Sequence, residues 1–528
     1  MNSLPDRTPV AVAIPTICKQ QCGVPDPTEI RPAWAQHLPA GLAVADVDLV
    51  GAGNLTRRWV ARWETDPTAP VVFDEDGGWV TGDELEARTR RIADRLNAAG
   101  LVAGDRVLMS AQASIDLVVA HIAALRLGLV VAPVNTAYRE REVALVVADA
   151  GPRAAVVDDS ERAGWIVAAS GANPVLVVGP EVDLPDGPGA ALDNSALDDP
   201  AVLLYTSGTT GLPKGAPLSH RNLLASAQAV VLAWRWTPAD RLVLALPLFH
   251  LHGLGVGLHG ALCAGASVVL RPGFAADDLF DVSQTHQASL FFGVPTMYAR
   301  LAQSARLSEL ARLRLCVSGS APLPADLHAA IEERGGQRIV ERYGMTETVM
   351  NVSNPYDGDR VPGTVGLALP GVDLRLDDGT DEILVRGPNV FSGYWRRPEA
   401  TTESFTDGWF RTGDVGAFDS NGYLKIVGRR KELIISGGYN VYPREVEDVL
   451  RTHPGVGDVA VIGVADPVWG EAVIAFVEGG DPASGLEAAL ITFAADQLAP
   501  YKRPKRVHQV DRLPRNALGK VIKAELHE

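Results

Sequence analysis

The densest chemistry in the chain lies in Leu203-Leu204-Tyr205-Thr206-Ser207-Gly208-Thr209-Thr210-Gly211-Leu212-Pro213-Lys214-Gly215. An apolar, strand-like run empties into glycines and hydroxyls with one lysine, and a helix follows near Ser219. Such a segment offers backbone N–H groups, hydroxyls and an ammonium to phosphate oxygens without side-chain crowding. It is not a Gly-x-x-x-x-Gly-Lys-Ser/Thr loop, because Lys214 precedes Gly215 and the spacing fails. Three more groups stand out: Glu347 in Arg342-Tyr343-Gly344-Met345-Thr346-Glu347-Thr348, Asp414 in Thr412-Gly413-Asp414, and Lys520 after Gly519. Taken singly they are bland: a solvated helix acid, a turn former and a solvated tail. Residues 502–523 hold eight Lys/Arg against one acid, Asp511, an electrostatic footing for phosphates whose competing reading is a salt-bridged face. Cys18, Cys22, Cys263 and Cys316 have no metal-ligand spacing and are expected as reduced thiols without a catalytic part.

These groups need rigid elements behind them. Val71–Phe73 is strand-like, and Thr81 is placed to cap a helix over Gly82 to Ala99. An apolar run at Arg106–Met109, a helix at 114–128 and β-branched runs at Val130-Val131 and Ala154–Val157 follow. The alternation returns at 241–247, 267–270, 289–292 and 313–317, as parallel βαβ units buried on both faces require. Short strands with Gly/Asp turns fill 371–428, and mixed α/β texture resumes after Gly428, with Pro443 placed to start a helix to Leu450. Residues 1 to about 55 are Pro-rich and weakly patterned, an extension rather than core.

Composition narrows the classes. The chain has 528 residues, 47% hydrophobic and 21% charged, which suits several globular units. A net charge of −16 disfavours nucleic acid and anionic membrane surfaces as partners. Arg126 interrupts the best apolar stretch, 117–134, short of the ~18 residues a membrane helix needs. The apolar run Val10 to Ile14 ends at Pro15, too short for a signal peptide, so a cytoplasmic location is expected.

The 203–215 loop resembles the phosphate-binding signature of the adenylate-forming superfamily of acyl-CoA synthetases, peptide-synthetase adenylation domains and luciferases. Further segments resemble that family in order: Arg342–Thr348, Thr412-Gly413-Asp414, Gly428-Arg429-Arg430-Lys431-Glu432, and Pro514-Arg515-Asn516 through Gly519-Lys520. The resemblance spans roughly residues 55–528. It implies an α/β fold: a large N-terminal domain of parallel-sheet βα subdomains plus a small β-rich subdomain, and a small, mobile α+β C-terminal domain. The implied divisions are an extension at 1–55, an adenylation domain at 56–428, a hinge at 429–431 and a C-terminal domain at 432–528.

The resemblance also implies roles. Thr206, Ser207, Gly208, Thr209, Thr210 and Lys214 would hold the β- and γ-phosphates of ATP. Thr346 would bond the α-phosphate and Glu347 would hold Mg²⁺. Ser318-Gly319-Ser320-Ala321-Pro322 would pack on adenine, with Tyr343 on its other side and Arg342 and Gly344 in the same segment. Asp414 would accept from ribose hydroxyls, and Arg429 would contact ribose or phosphate. Lys520 would bridge carboxylate and phosphate during adenylation. Rotation about Lys431 would then bring Gly437, Gly438 and Tyr439 to a coenzyme A thiol channel.

Pro247-Leu248-Phe249-His250-Leu251-His252-Gly253 resembles the acyl-CoA synthetase branch, with His250 gating the acyl or thiol channel; a core histidine is the competing reading. Gly293–Tyr298 and Glu341–Asn354 most resemble malonyl-CoA synthetases, which places His252, Gly293, Ser318 and Met350 in the acid pocket. A second carboxylate calls for a fixed cation, with Arg235 and Arg271 as candidates. The first reading is therefore an ATP-dependent ligase of a small acid and coenzyme A, monomer or homodimer, with no nucleic-acid or membrane partner. The alternative is an adenylate-forming enzyme with another acceptor, such as a diazotase that activates nitrite for attack by an aromatic amine. A non-catalytic nucleotide binder predicts broken positions, yet Lys214, Glu347, Asp414, Arg429 and Lys520 are intact.

Overall fold

The computed structural model describes residues 35–51, 53–206, 213–436, 439–479, 485–516 and 519–527. Among these residues the strands form four sheets of nine, six, five and five strands. Two of the sheets realise the alternation read above. In the six-stranded sheet, Arg106–Ser110, Val130–Pro133, Ala154–Val157 and Leu176–Val178 run parallel. Pro200–Thr206 joins them through Val131↔Val202 and then turns back antiparallel as Lys214–Ser219. In the nine-stranded sheet, Pro70–Asp74, Ser267–Leu270, Arg241–Leu244, Leu290–Gly293, Leu315–Ser318 and Val340–Tyr343 lie parallel in that spatial order. Leu242, Val243, Val268, Val269, Phe291 and Phe292 are all buried, the continuous apolar pattern of strands covered on both faces.

Local chemistry starts the helices. Thr81 caps Gly82–Ala98, and the Glu84 carboxylate accepts from the Thr81 backbone N–H at 2.9 Å. The Ser114 hydroxyl accepts from Leu117 N at the start of Ile115–Arg126. Arg126 ends that apolar helix buried, with Asp193 at 3.0 Å and Glu86 at 3.2 Å, so the interrupting charge is a core ion pair. The Ser219 hydroxyl opens His220–Ala233.

The short-strand region forms an antiparallel sheet of Asp373–Leu376, Glu382–Arg386, Phe405–Thr406, Trp409–Phe418 and Leu424–Arg429. Beyond it, Ile434–Ser436, Tyr439–Val441, Asp458–Asp466, Gly470–Glu478 and Arg506–Val510 form the last sheet. The helices Pro443–Arg451 and Leu486–Gln497 pack on it around a core of Val446, Leu450, Val473 and Leu490. The described part of the expected extension is docked: His37 is buried with Nε2 3.2 Å from Leu367 O, and Arg235 donates to His37 O and Leu38 O. Cys18 and Cys22 lie outside the described residues. No helix among the described residues is long and apolar enough to cross a membrane.

Register places the site. Gly293 pairs with Ser318 and Ser318 with Glu341, so two parallel strands end in one line and the third runs two residues past it, to Tyr343. In such sheets ligands bind beyond the carboxyl ends of the strands.

Candidate active site

Thr206 and Lys214 are cross-strand partners where the hairpin opens, and the Thr206 hydroxyl donates to Lys214 O at 3.4 Å. Ser207, Gly208, Thr209 and Thr210 lie outside the described residues. The Lys214 ammonium stands 5.1 Å from the centre of the Tyr394 ring, and the Tyr394 hydroxyl donates to Glu347 Oε1 at 2.9 Å. Glu347 is 5% exposed in a turn, not the solvated helix acid of the bland reading. Burial pushes its carboxyl above the ordinary glutamate range, and the Tyr394 bond pulls the other way. A single buried carboxylate suits Mg²⁺, which completes its shell with water and substrate phosphate oxygens. Among the described residues no three His, Cys, Asp or Glu side chains group as a metal site. Thr346 is half-buried beside Glu347.

Asp414 is no turn former: it lies inside the ten-residue strand Trp409–Phe418, cross-strand from Arg429. It is 3% exposed, with Arg429 Nε at 2.8 Å and the Tyr343 hydroxyl donating at 2.6 Å. The carboxylate raises the guanidinium, and burial beside Asp414 holds the Tyr343 phenol protonated. Lys520 reaches the same cluster from the C-terminal domain. Although the residue as a whole is exposed, lost solvation at the ammonium and the nearby Arg429 lower its pKa, while Glu432 and Asp414 raise it. Its neighbour Gly519 (φ +76°) closes on Thr296; a Cβ there would stand 2.8 Å from Thr296 Oγ1. Lys431 is exposed in the turn Arg430–Glu432, with Arg429, Asp414 and Lys214 acting on it electrostatically. Tyr439 is exposed and stacks on Tyr501 at 4.6 Å; Gly437 and Gly438 lie outside the described residues.

Three of the eight basic residues at 502–523 are held in ion pairs among the described residues, as the salt-bridged reading expects for them. Lys502 pairs with Glu445 (2.5 Å), Arg515 with Asp458 (2.5 Å) and Lys523 with Glu447 (2.7 Å), while Lys505 lies 3.7 Å over Trp469.

Beyond the strand ends lies a third group. His252 is buried, with Nδ1 3.2 Å from the Ser320 hydroxyl, and burial with Arg342 nearby keeps the ring neutral. Burial lowers half-buried His250 to about 4, so it too is neutral near pH 7. Ser320, a non-glycine residue at φ +70°, turns the loop Gly319–Pro322 back over the strand ends. Gly293 faces the rings of Phe291 and Tyr298, Gly344 is closed against Val349 O, and Ser318 and Met350 are buried. Arg342 is buried against Gly319, and its Nε and Nη2 have no hydrogen-bond partner among the described residues.

Neither expected pocket cation is free. Arg235 pairs with Asp357 at 2.8 Å and holds the 37–38 backbone; Arg271 forks onto Asp278 at 2.7 and 3.0 Å and onto Glu75. Sequence reasoning passed over Tyr394, Thr296 and the acid role of Glu341, whose Oε1 accepts from Leu323 N at 3.0 Å and so ties down the 319–323 loop. A tyrosine after Gly393 in a turn between strand and helix was the available signal for Tyr394.

The AMP-binding enzyme family matches residues 57–395, and the AMP-binding enzyme C-terminal domain matches residues 445–520. A feruloyl-CoA synthase of an Amycolatopsis species is 37% identical, covering 88% of this chain and 97% of its own. The malonate–CoA ligase of Arabidopsis thaliana is 36% identical, covering 81% of this chain and 78% of its own. Among solved structures, ATP-bound MatB from Rhodopseudomonas palustris has a TM-score of 0.84 at 42% identity, covering 89% of this chain and 98% of that one. With both family domains in order and the expected α/β architecture around them, the chain belongs to the AMP-binding enzymes, in the acyl-CoA synthetase branch of the adenylate-forming superfamily.

Proposed function

We propose that the protein activates a small dicarboxylic acid of the malonate type as its acyl-adenylate and passes the acyl group to coenzyme A. Arg342 carries the substrate reading. A buried guanidinium with two unpartnered nitrogens, beside Ser320 and His252, is costly unless an anion completes it. Its fork matches a carboxylate with two parallel bonds, so Arg342 would read the distal carboxylate rather than the nucleotide.

In the first step a carboxylate oxygen of the acid attacks the α-phosphorus of ATP, and the bond to the β-phosphate bridging oxygen breaks to release pyrophosphate. Both reactants are anionic, so positioned positive charge does most of the work. Lys214 and Thr206 would receive the outer phosphates, with Ser207, Gly208, Thr209 and Thr210, while Thr346 would bond the α-phosphate. Glu347 would hold Mg²⁺, which supplies charge neutralisation across the phosphates. Asp414 has acceptor capacity for ribose hydroxyls beyond its bonds to Tyr343 and Arg429. Gly319, Ala321, Pro322, Tyr343 and Gly344 would frame adenine. Lys520 would lie between the attacking carboxylate and the α-phosphate. Its position beside Asp414, with Gly519 against Thr296, supports the adenylating orientation.

In the second step the thiol sulfur attacks the acyl carbon, the thiol proton is lost and AMP leaves. Rotation about residues 429–431 would withdraw Lys520 and bring Gly437, Gly438 and Tyr439 to the channel, with neutral His250 at its mouth. His252, Gly293, Ser318 and Met350 would shape the acid pocket.

Pyrophosphate release with and without coenzyme A, followed by product mass spectrometry, tests the proposal. The panel is malonate, methylmalonate, short monoacids, aryl acids, and nitrite with an aromatic amine. A malonyl- or methylmalonyl-thioester with little monoacid turnover supports it. Turnover indifferent to coenzyme A, above all with nitrite, overturns the acceptor.

A further inference from the structure

Tyr394 touches two charged groups, one assigned to the outer phosphates of ATP and the other to Mg²⁺. Its hydroxyl donates to Glu347 Oε1 at 2.9 Å, and its ring face lies 5.1 Å from the Lys214 ammonium. Among the described residues Lys214 has no ion pair, so the ring is its charge-stabilising neighbour. The tyrosine is fixed from all sides. Its backbone N–H donates to Thr401 Oγ1 at 2.9 Å, Thr401 Oγ1 donates to Arg397 O at 2.8 Å, and Phe391 meets the ring edge-on at 4.9 Å. The flanking backbone ties into both partners' segments: Phe391 N donates to Glu347 O at 2.9 Å, and Trp395 N donates to Gly215 O at 2.8 Å. Gly393 allows the approach, since a Cβ there would stand 2.3 Å from Thr401 Cγ2.

We propose that Tyr394 is a positioning residue that holds the Lys214 ammonium and the Glu347 carboxylate apart, so that one triphosphate meets its lysine and its metal ligand together. Without it the two opposite charges are free to neutralise each other. The inference rests on the reading of Lys214 as a phosphate ligand and Glu347 as the Mg²⁺ ligand. Its two halves separate chemically: the hydroxyl serves Glu347 and the ring serves Lys214.

The test is equilibrium binding of α,β-methylene-ATP by calorimetry, in EDTA and across a Mg²⁺ series. The proteins are wild type, Tyr394→Phe, Tyr394→Leu and Glu347→Gln, each checked for folding by circular dichroism. Tyr394→Phe is expected to raise half-saturating Mg²⁺ about tenfold, the range of a lost bond to a charged group, with the EDTA affinity unchanged. Tyr394→Leu is expected to weaken the EDTA affinity as well, by about threefold. Normal Mg²⁺ dependence in Tyr394→Phe, with Glu347→Gln impaired, overturns the positioning role alone. Normal dependence in Glu347→Gln overturns the metal-ligand reading and the inference with it. Equal EDTA affinities for Tyr394→Phe and Tyr394→Leu remove the Lys214 half.

Discussion

Gly319 lies directly against Arg342: a Cβ at residue 319 would stand 2.4 Å from both Cζ and Nε of the guanidinium. No real Cβ contact is that short, so Gly319→Ala must push the buried fork off its place. The expected outcome is at least a tenfold lower kcat/KM for a dicarboxylic acid, about 1.4 kcal/mol, with a much smaller change for the monoacid of equal length. Steady-state kinetics on both acids checks this. Equal losses with an unchanged KM for ATP would take Arg342 out of substrate reading and leave Gly319 a packing glycine.

Asp414 binds Arg429 and Tyr343 from two directions, at 2.8 and 2.6 Å. Asp414→Asn keeps an acceptor but strips the charge that partners Arg429 and shares in placing Lys520. Removing one member of a buried pair typically costs a few kcal/mol, and the loss is expected mainly in KM for ATP, by about 30-fold. Product analysis should still find the same thioester. An unaltered KM for ATP would mean that the ribose contacts something else.

What was legible in the sequence was local. Ser114 and Ser219 start helices because their hydroxyls satisfy nearby backbone donors, Thr81 because the Glu84 carboxylate accepts from its N–H, and β-branched runs become buried parallel strands because neither face meets water. The candidate residues Lys214, Asp414 and Lys520 were legible as short motifs. What escaped was partnership across the chain. Tyr394 meets Glu347 over a separation of 47 residues, and nothing in either segment announces it. Arg235 looks free in a linear reading because Asp357 is remote from it in sequence, and of the two partners of Arg271 only Asp278 is local, Glu75 being remote. In the 502–523 stretch, Lys502, Arg515 and Lys523 are paired by Glu445, Glu447, Asp458 and Glu478, acids that lie outside the stretch. Pairing of this kind is a property of the tertiary structure.

Glu341 gives a pH signature independent of activity. Burial raises its carboxyl from 4.5 to about 7, with Arg444 opposing and Asp448 reinforcing the shift across the interface with the C-terminal domain. Between those values the native state holds a proton that the unfolded chain has released, so stability falls as pH rises through the window. Glu341→Gln retains an oxygen for the Leu323 N–H and removes the titration. The stability of the variant relative to wild type, followed by thermal melts, is expected to grow from pH 5 to pH 7 and level off above pH 8, by no more than about 3 kcal/mol. A difference that stays flat with pH would mean that Glu341 does not titrate in this window.

Lys520 separates the two half-reactions. It approaches the Asp414–Arg429 pair from the C-terminal domain, and the hairpin that carries it is braced by Arg515, which donates to Gly519 O at 2.9 Å and to Asp458 at 2.5 Å. The ammonium is useful only while carboxylate and α-phosphate are both anionic and adjacent, which is the adenylation step. Lys520→Ala is therefore expected to slow acid-dependent pyrophosphate release by about 10²–10³, the range for one preorganised charge. Thioester formation from supplied acyl-adenylate should stay within a few-fold of wild type, because that step needs the domain turned away. Reduced solvation and Arg429 lower the lysine below its ordinary 10.5, so the alkaline limb of adenylation should fall below that value and vanish in the variant. Equal loss of both half-reactions would place Lys520 in a shared structural role and remove it from the adenylation step.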